Sequence, residues 1–322
     1  MQTKLFFAVL LVTKSFAADE TASVVGAGYG PVAPVAVAPG QVITFYVHGI
    51  GTALKTPVVS NATPLPLSLA GITALMVQNS PSVSIPILAV EPLKNCADVT
   101  RPLGCGAGYV AVTVQIPFNI SAENPTARTG VPTPAAWVQF SENGTVAATI
   151  ATTPLVDQVH VIRSCDLLLQ QRELRCQPSI THADGSLVTQ TRPARPGEEI
   201  VAYAVGLGYA TTFTNNGDAP KEAVRTSIDF RISFDARPNA QASRPSALGE
   251  RDPAVVSPRF TGLIPSFPGL YQINFVVPSV PATTPRCDQN PLGARVTSNL
   301  TINIFGPASV DGVGICVDPS AN

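Results

Sequence analysis

Two stretches of this chain repeat each other, and the repeat limits the possible folds more than any other feature. The sequence APGQVITFYVHGIG at residues 38–51 matches RPGEEIVAYAVGLG at residues 195–208, which lies 157 residues further on. A second pair, GYVAVTVQIP from residue 108 and GLYQINFVVP from residue 269, is 161 residues apart. Such spacing indicates two copies of one domain in tandem. We place the boundary near residues 153–155.

Each copy has the pattern of short β-strands separated by Gly and Pro turns. In residues 270–277 the large apolar side chains Tyr271, Ile273 and Phe275 alternate with Gln272 and Asn274. A period of two is typical of antiparallel strands with one buried face. Two such sheets packed together form a sandwich of immunoglobulin type. The predicted fold class is therefore all-β, with two tandem immunoglobulin-like β-sandwich domains after a signal peptide.

The repeated strands also predict the core. In each copy, the alternating apolar positions of two strands should occupy equivalent places. The predicted core positions are Ile43, Phe45, Val112 and Val114 in the first copy, and Ile200, Ala202, Ile273 and Phe275 in the second.

Composition excludes several classes of protein. The 31 Pro residues among 322 argue against long helices and coiled coils. A net charge of −1 leaves no excess of positive charge to replace the counterions of a nucleic acid, so no nucleic-acid partner is expected. With 45% hydrophobic residues, the chain can bury a core and is not expected to be disordered.

The N-terminal residues predict export. Lys4 is followed by an apolar run at residues 5–13, and Ser15 and Ala17 supply the small residues of a cleavage site. This run is too short to span a bilayer as a helix, and no later run resembles a transmembrane segment. The predicted organisation is a signal peptide at 1–17, one domain at 18–155 and another at 156–322. The predicted location is secreted, extracellular or at the cell surface.

The cysteines agree with an oxidising compartment. Their number is even. No CxxC motif occurs, so the sequence lacks the motif that zinc ribbons and thioredoxin-like redox sites require. A metal cluster would lack nearby His partners, and disulfides are therefore favoured. The simplest connectivity pairs sequence neighbours as Cys96–Cys105, Cys165–Cys176 and Cys287–Cys316. The third bridge would fasten the C-terminal tail to the second domain.

Several motifs of this chain resemble those of a known but functionally uncharacterised family. They are ADGSLVTQTRPARPG at 183–197, VGLG at 205–208, GLYQINFVVP at 269–278 and the pair Ser298-Asn299. The chain is similar over residues 24–305 to the tandem β-sandwich family abundant in secreted proteins of Acidobacteria, often a C-terminal module. The resemblance implies the fold, export and a bacterial origin. It supplies no catalytic residues.

No catalytic, cofactor-binding or metal-binding residues are predicted. A hydrolytic set of Ser179, His182 and Asp184 would be too close in sequence to converge, and no Gly-x-Ser-x-Gly motif occurs. The other histidines, His48 and His160, are expected to be packed or surface residues. The Gly-x-Gly pairs at 49–51 and 206–208 lack a following Lys-Ser/Thr, and they are interpreted as strand ends rather than phosphate loops.

Aromatic side chains could form a sugar-binding platform. Tyr209 follows Gly208 at a predicted turn and is the best candidate for a ligand contact. The other aromatics considered are Tyr29, Tyr46, Trp137, Tyr203 and Tyr271, of which Tyr46, Tyr203 and Tyr271 are favoured as core or rim residues.

The expected function is a secreted or surface-associated, non-enzymatic protein with a structural, adhesive or partner-binding role. Its partner would be a protein or glycan at the cell surface, and no cofactor is expected. One alternative is a carbohydrate-binding module. Another is a secreted enzyme that uses loop carboxylates such as Glu91, Asp98 or Asp218. The Arg- and Pro-rich stretch 235–259 is either a binding loop or a functionless insertion.

Overall fold

The computed structural model describes residues 22–27, 35–78, 81–93, 108–123, 136–164, 166, 177–241, 255–290 and 293–320. Within these ranges the chain forms strands and turns, and none of the residues lies in an α-helix. The all-β part of the predicted fold class is thereby confirmed. Frequent Pro disfavours helices, and apolar residues at every second position favour strands with one buried face.

The first half of the described chain contains eleven strands in two sheets. The strands are β1 (Ser23–Ala27), β2 (Val35–Val37), β3 (Val42–His48), β4 (Val58–Val59), β5 (Ser68–Leu69), β6 (Ile72–Val77), β7 (Val83–Ile85), β8 (Ile87–Pro92), β9 (Tyr109–Gln115), β10 (Ala136–Glu142) and β11 (Thr145–Pro154). Sheet I has the order β1-β3-β9-β8-β4. Sheet II has the order β2-β11-β10-β6-β5, and β7 also pairs with β6.

The second half contains nine described strands, again in two sheets. They are β12 (His160–Val161), β13 (Ile180–Thr181), β14 (Glu199–Val205), β15 (Val224–Arg225), β16 (Arg231–Asp235), β17 (Phe260–Leu263), β18 (Tyr271–Val276), β19 (Leu300–Phe305) and β20 (Val310–Ile315). Sheet III has the order β12-β14-β18-β17-β15, and β13 also pairs with β14. Sheet IV has the order β16-β19-β20.

The two halves share a strand order. Sheet I and sheet III correspond position by position, and β6-β10-β11 of sheet II corresponds to β16-β19-β20 of sheet IV. A Pro-Gly turn precedes both β3 and β14, and the glycines, Gly40 and Gly197, have positive φ values of 71° and 80°. The repeated sequence motifs therefore occupy equivalent places. The domain boundaries 18–155 and 156–322 stay a prediction, and residues 1–17 lie outside the described residues.

Each half encloses its own hydrophobic core, to which both of its sheets contribute. All eight predicted core residues are buried, which confirms that part of the prediction. Their cross-strand partners also match between the halves, because Phe45 pairs with Val112 as Ala202 pairs with Ile273. The ring of Phe45 in sheet I meets that of Phe140 in sheet II edge-on, with centroids 5.4 Å apart.

The predicted disulfide between Cys287 and Cys316 is confirmed, with Cα atoms 5.9 Å apart. It fastens the residue that follows β20 to a loop 29 positions earlier in the chain. The other two predicted bridges, Cys96–Cys105 and Cys165–Cys176, lie outside the described residues.

Candidate functional site

The halves meet at a joint that includes residues 115–120 of the first half and residues 209–217 of the second. Phe118 is fully buried and belongs to the hydrophobic core of the second half, although it precedes β10 in the first. Its ring meets that of Phe213 at 88°, with centroids 5.9 Å apart. An aromatic side chain of one half thus completes the core of the other.

Hydrogen bonds surround this shared ring. The backbone N–H of Phe118 donates to Asn216 Oδ1 at 2.7 Å. The N–H of Gly217 donates to Oε1 of the buried Gln115 at 2.5 Å, and the Gly217 carbonyl accepts from the N–H of Leu65 at 2.6 Å. Buried polar groups that are paired in this way fix a geometry, because breaking a pair leaves a desolvated partner.

Tyr209, the predicted ligand contact, also lies at the joint. Its hydroxyl donates to the carbonyl of Ile120 at 2.5 Å, and burial raises the pKa of the phenol. The side chain is half-buried, and its polar end is used within the protein. A role in binding a ligand stays a prediction.

The glycines before Tyr209 have a structural role. Gly206 and Gly208 have φ values of +77° and +78°, and a Cβ atom at either position would overlap a backbone carbonyl, of Gln158 or of Val156. Only glycine accepts both the conformation and the close approach. This placement is consistent with the interpretation of the Gly-x-Gly pair as a strand end.

The structure does not assemble the set of Ser179, His182 and Asp184. His182 Nδ1 lies 2.5 Å from Glu198 Oε1, and Asp184 accepts from the Ser186 hydroxyl at 2.7 Å. The hydrogen bond from Ser186, together with Arg192, holds the pKa of Asp184 well below its usual range. Both side chains therefore have partners outside this set.

Two of the three carboxylates of the enzyme alternative lie among the described residues, one in each half. Glu91 lies on β8 in the first half, and burial raises its pKa. Asp218 lies in the loop between β14 and β15 and accepts from the N–H of Ala219, whereas Asp98 lies outside the described residues. Within the part of the chain that is described, no group of three His, Cys, Asp or Glu side chains could hold a metal ion.

Trp137 is the only tryptophan of the chain and is 41% exposed on the outer face of sheet II. It lies on β10 between Val77 of β6 and Ala151 of β11. The outward positions of these three strands carry no charge at any described residue. They are Thr73, Leu75, Val77, Trp137, Gln139, Ser141, Val146, Thr149, Ala151 and Thr153. We call this surface the Trp137 face.

A groove of about 550 Å³ lies in the second half. It is largely apolar and includes Phe234, Val256, Val280 and Leu300 in its lining. Val256 belongs to the Arg- and Pro-rich stretch and exchanges backbone hydrogen bonds with Ile232 at 2.8 Å. This end of the stretch is thus paired with sheet IV, and residues 242–254 lie outside the described residues.

The sequence pattern did not identify Phe118 as a joint residue. The available signal was a large aromatic residue directly after the strand motif that ends at Pro117, where a polar turn is the ordinary expectation. Its partners, Phe213 and Asn216, are about a hundred residues away, and no local pattern indicates such a contact.

No protein-family model and no curated protein matches this chain. Among the described residues, no helix is long and apolar enough to cross a membrane. The resemblance to the acidobacterial family therefore stays a prediction based on the quoted motifs.

Proposed function

We propose that this chain is an exported, non-enzymatic protein of two tandem immunoglobulin-like β-sandwich domains with a structural or adhesive role at the cell surface. The observation that carries the proposal is the joint, where Phe118 of one half completes the core of the other. Domains within a chain ordinarily move relative to each other unless their interface is large and apolar. A shared core residue and the hydrogen bonds from the N–H groups of Phe118 and Gly217 across the joint support a fixed spacing, which suits a surface protein that presents contacts.

The export part of this proposal is tested in the native host with a C-terminal tag. Cell fractionation should place the protein outside the cytoplasm, and N-terminal sequencing should begin at Ala18. Retention of residues 1–17 in a cytoplasmic protein would contradict the proposal. For the adhesive part, beads coated with the purified protein should bind cells or their surface material, and beads coated with heat-unfolded protein should not. Equal binding by both kinds of bead would count against an adhesive role.

A second candidate, carbohydrate binding, is favoured by the Trp137 face. Antiparallel sheets usually place charged and polar residues on their solvated side. The Trp137 face has polar residues but no charged ones. An exposed indole offers an apolar surface with a polar N–H, and Gln139 and Thr149 beside it offer neutral hydrogen-bonding groups. This combination suits an uncharged polysaccharide better than an acidic one.

Because Trp137 is the only tryptophan, its fluorescence reports directly on this surface. Titration with cellohexaose, mannohexaose or chitohexaose should shift the emission maximum, and Trp137→Ala should abolish retention on the matching insoluble polysaccharide. Phe267→Ala is the matched control, since Phe267 is also exposed, at 56%, but lies in the second half. Unchanged emission with all three sugars, or equal loss of retention in both variants, would contradict carbohydrate binding on this face.

A further inference from the structure

A buried histidine in the second half is held between two carboxylates. His160 Nε2 lies 2.7 Å from Asp166 Oδ2, and His160 Nδ1 lies 3.2 Å from Asp311 Oδ2. Arg163 Nη2 approaches the other oxygen of Asp311 at 3.3 Å. Ionised carboxylates only accept hydrogen bonds, so an imidazole that satisfies both must carry a proton on each nitrogen. The geometry is that of an imidazolium ion.

This cluster lies where two sheets of the second half approach each other. In the described chain, β12 pairs with β14 in sheet III, and β20 pairs with β19 in sheet IV. Among the described residues, no backbone ladder joins β12 to β20. Instead, the N–H of Val161 donates to Asp311 Oδ2 at 2.9 Å, and the N–H of Val159 donates to Ser309 Oγ at 2.8 Å. Side chains of residues in and beside β20 thus act as the acceptors that a neighbouring strand would supply.

We propose that His160, Asp166 and Asp311 form a pH-sensitive clasp that holds β12 against β20 while the imidazole is charged and loosens when it loses a proton. A neutral imidazole has one N–H and cannot donate to both carboxylates. One of the two hydrogen bonds is then lost, and a buried carboxylate loses a charged partner. Removing the charge of one partner of a buried ion pair destabilises a protein by far more than the intact pair stabilises it.

The surrounding charges favour the protonated imidazole. Burial alone would lower the pKa of His160, but the hydrogen bonds and negative charges of Asp166 and Asp311 outweigh burial and raise the pKa above its ordinary value of 6.5. For Asp311, burial is likewise outweighed by His160 and Arg163, and the pKa of the carboxyl is lowered. Asp157, three residues before His160, accepts instead from Ser309 and from the N–H of Ala308, and burial raises its pKa.

The raised pKa of His160 and the lowered pKa of Asp311 determine how stability depends on pH. A histidine whose pKa is raised on folding contributes stability that is complete below 6.5 and is lost as the pH rises through the higher, folded value. An aspartate whose pKa is lowered contributes stability that is complete above 3.8 and is lost as the pH falls through the folded value. The clasp is therefore strongest between about pH 4 and pH 6.5 and weakens on the alkaline side.

The first test is an NMR titration of the imidazole Cε1–H signals in the intact protein. The chain has three histidines, so the signal that disappears in His160→Gln identifies the residue. We expect it to titrate above pH 6.5 and to move to lower pH in Asp311→Asn, which keeps the shape of the side chain and removes its charge. A midpoint at or below 6.5 in the wild-type protein, or no shift in Asp311→Asn, overturns the proposal.

The second test compares thermal unfolding at pH 6 and pH 9 by far-UV circular dichroism. The wild-type midpoint should fall at the higher pH, and His160→Gln should remove at least half of that fall. His48→Gln is the control, because His48 lies in the first half, on β3, and it should keep the wild-type fall. Equal pH dependence in the wild-type protein and His160→Gln contradicts a clasp. If His160→Gln does not fold, Asp311→Asn supplies the same comparison.

Discussion

The two halves share a strand order but are closed differently along one side. In the first half, β2 pairs in parallel with β11 through a backbone ladder from Val35 to Val37. In the second half, the corresponding parallel contact is a single bridge between Ala194 and Val317. At the opposite end of β20, the side chains of Ser309 and Asp311 accept the N–H groups of Val159 and Val161.

The difference teaches how one topology can be stabilised by two kinds of chemistry. A backbone ladder carries no titratable group and tolerates many side chains. Closure by a histidine and two aspartates depends on particular residues and on pH. Among the described residues, sheet IV has three strands against six in sheet II, so fewer backbone hydrogen bonds hold it together. We therefore expect the second half to respond more to single substitutions.

The largest effect is expected from Phe118→Ala. Removing a buried phenyl group costs about 3–5 kcal/mol in the free energy of unfolding. Although Phe118 lies in the first half, the loss should appear in the second, because its ring packs in that core. Amide hydrogen exchange should show faster exchange in β14 and β18. Phe140→Ala, the matched control in the first core, should instead affect β3 and β9, and the same pattern in both variants would contradict the shared core.

Replacing Cys287 and Cys316 together by Ser should destabilise only the second half. Chain entropy for a 29-residue separation gives roughly 3–4 kcal/mol. Thermal unfolding should show the loss by circular dichroism, while the fluorescence of Trp137, in the first half, keeps its transition. Adding a reductant to this variant then sharpens the comparison, since any further loss must come from the predicted bridges Cys96–Cys105 and Cys165–Cys176. An unchanged midpoint in the double variant would show that the bridge adds no stability.

The smallest expected effect is a difference in stability between two variants, in which equivalent glycines of the two halves are replaced by Ala. Gly51→Ala and Gly208→Ala both place a side chain at positive φ, which costs about 1–3 kcal/mol. At Gly208 the new Cβ would also overlap the Val156 carbonyl, whereas at Gly51 it would meet the movable side chains of Val110 and Leu54, at 2.9 and 3.1 Å. Denaturant unfolding should therefore show the greater loss for Gly208→Ala. Equal losses would mean that the backbone of residue 156 adjusts freely.

Local pattern and repetition were enough to predict the repeated strands β3, β9, β14 and β18 and eight residues of the core. Ile43 and Ile200 could be placed because alternation determines which face of a strand is buried, and the repeat places both in equivalent strands. The contacts of His160 and Phe118 could not be predicted in this way. Asp311 lies 151 residues after His160, and Asn216 lies 98 residues after Phe118. Nothing in a single sequence relates side chains at such distances when their residue types are common.

The shared phenyl ring of Phe118 limits how this chain could be divided or recombined. A fragment that begins at residue 156 would contain every strand of sheets III and IV but would leave an aromatic-sized hole in its core. A fragment that ends at residue 155 would expose the same ring to water. The two copies of the repeat are therefore no longer interchangeable units, and a chimera that replaces one of them would need to bring a matching aromatic residue or its pocket.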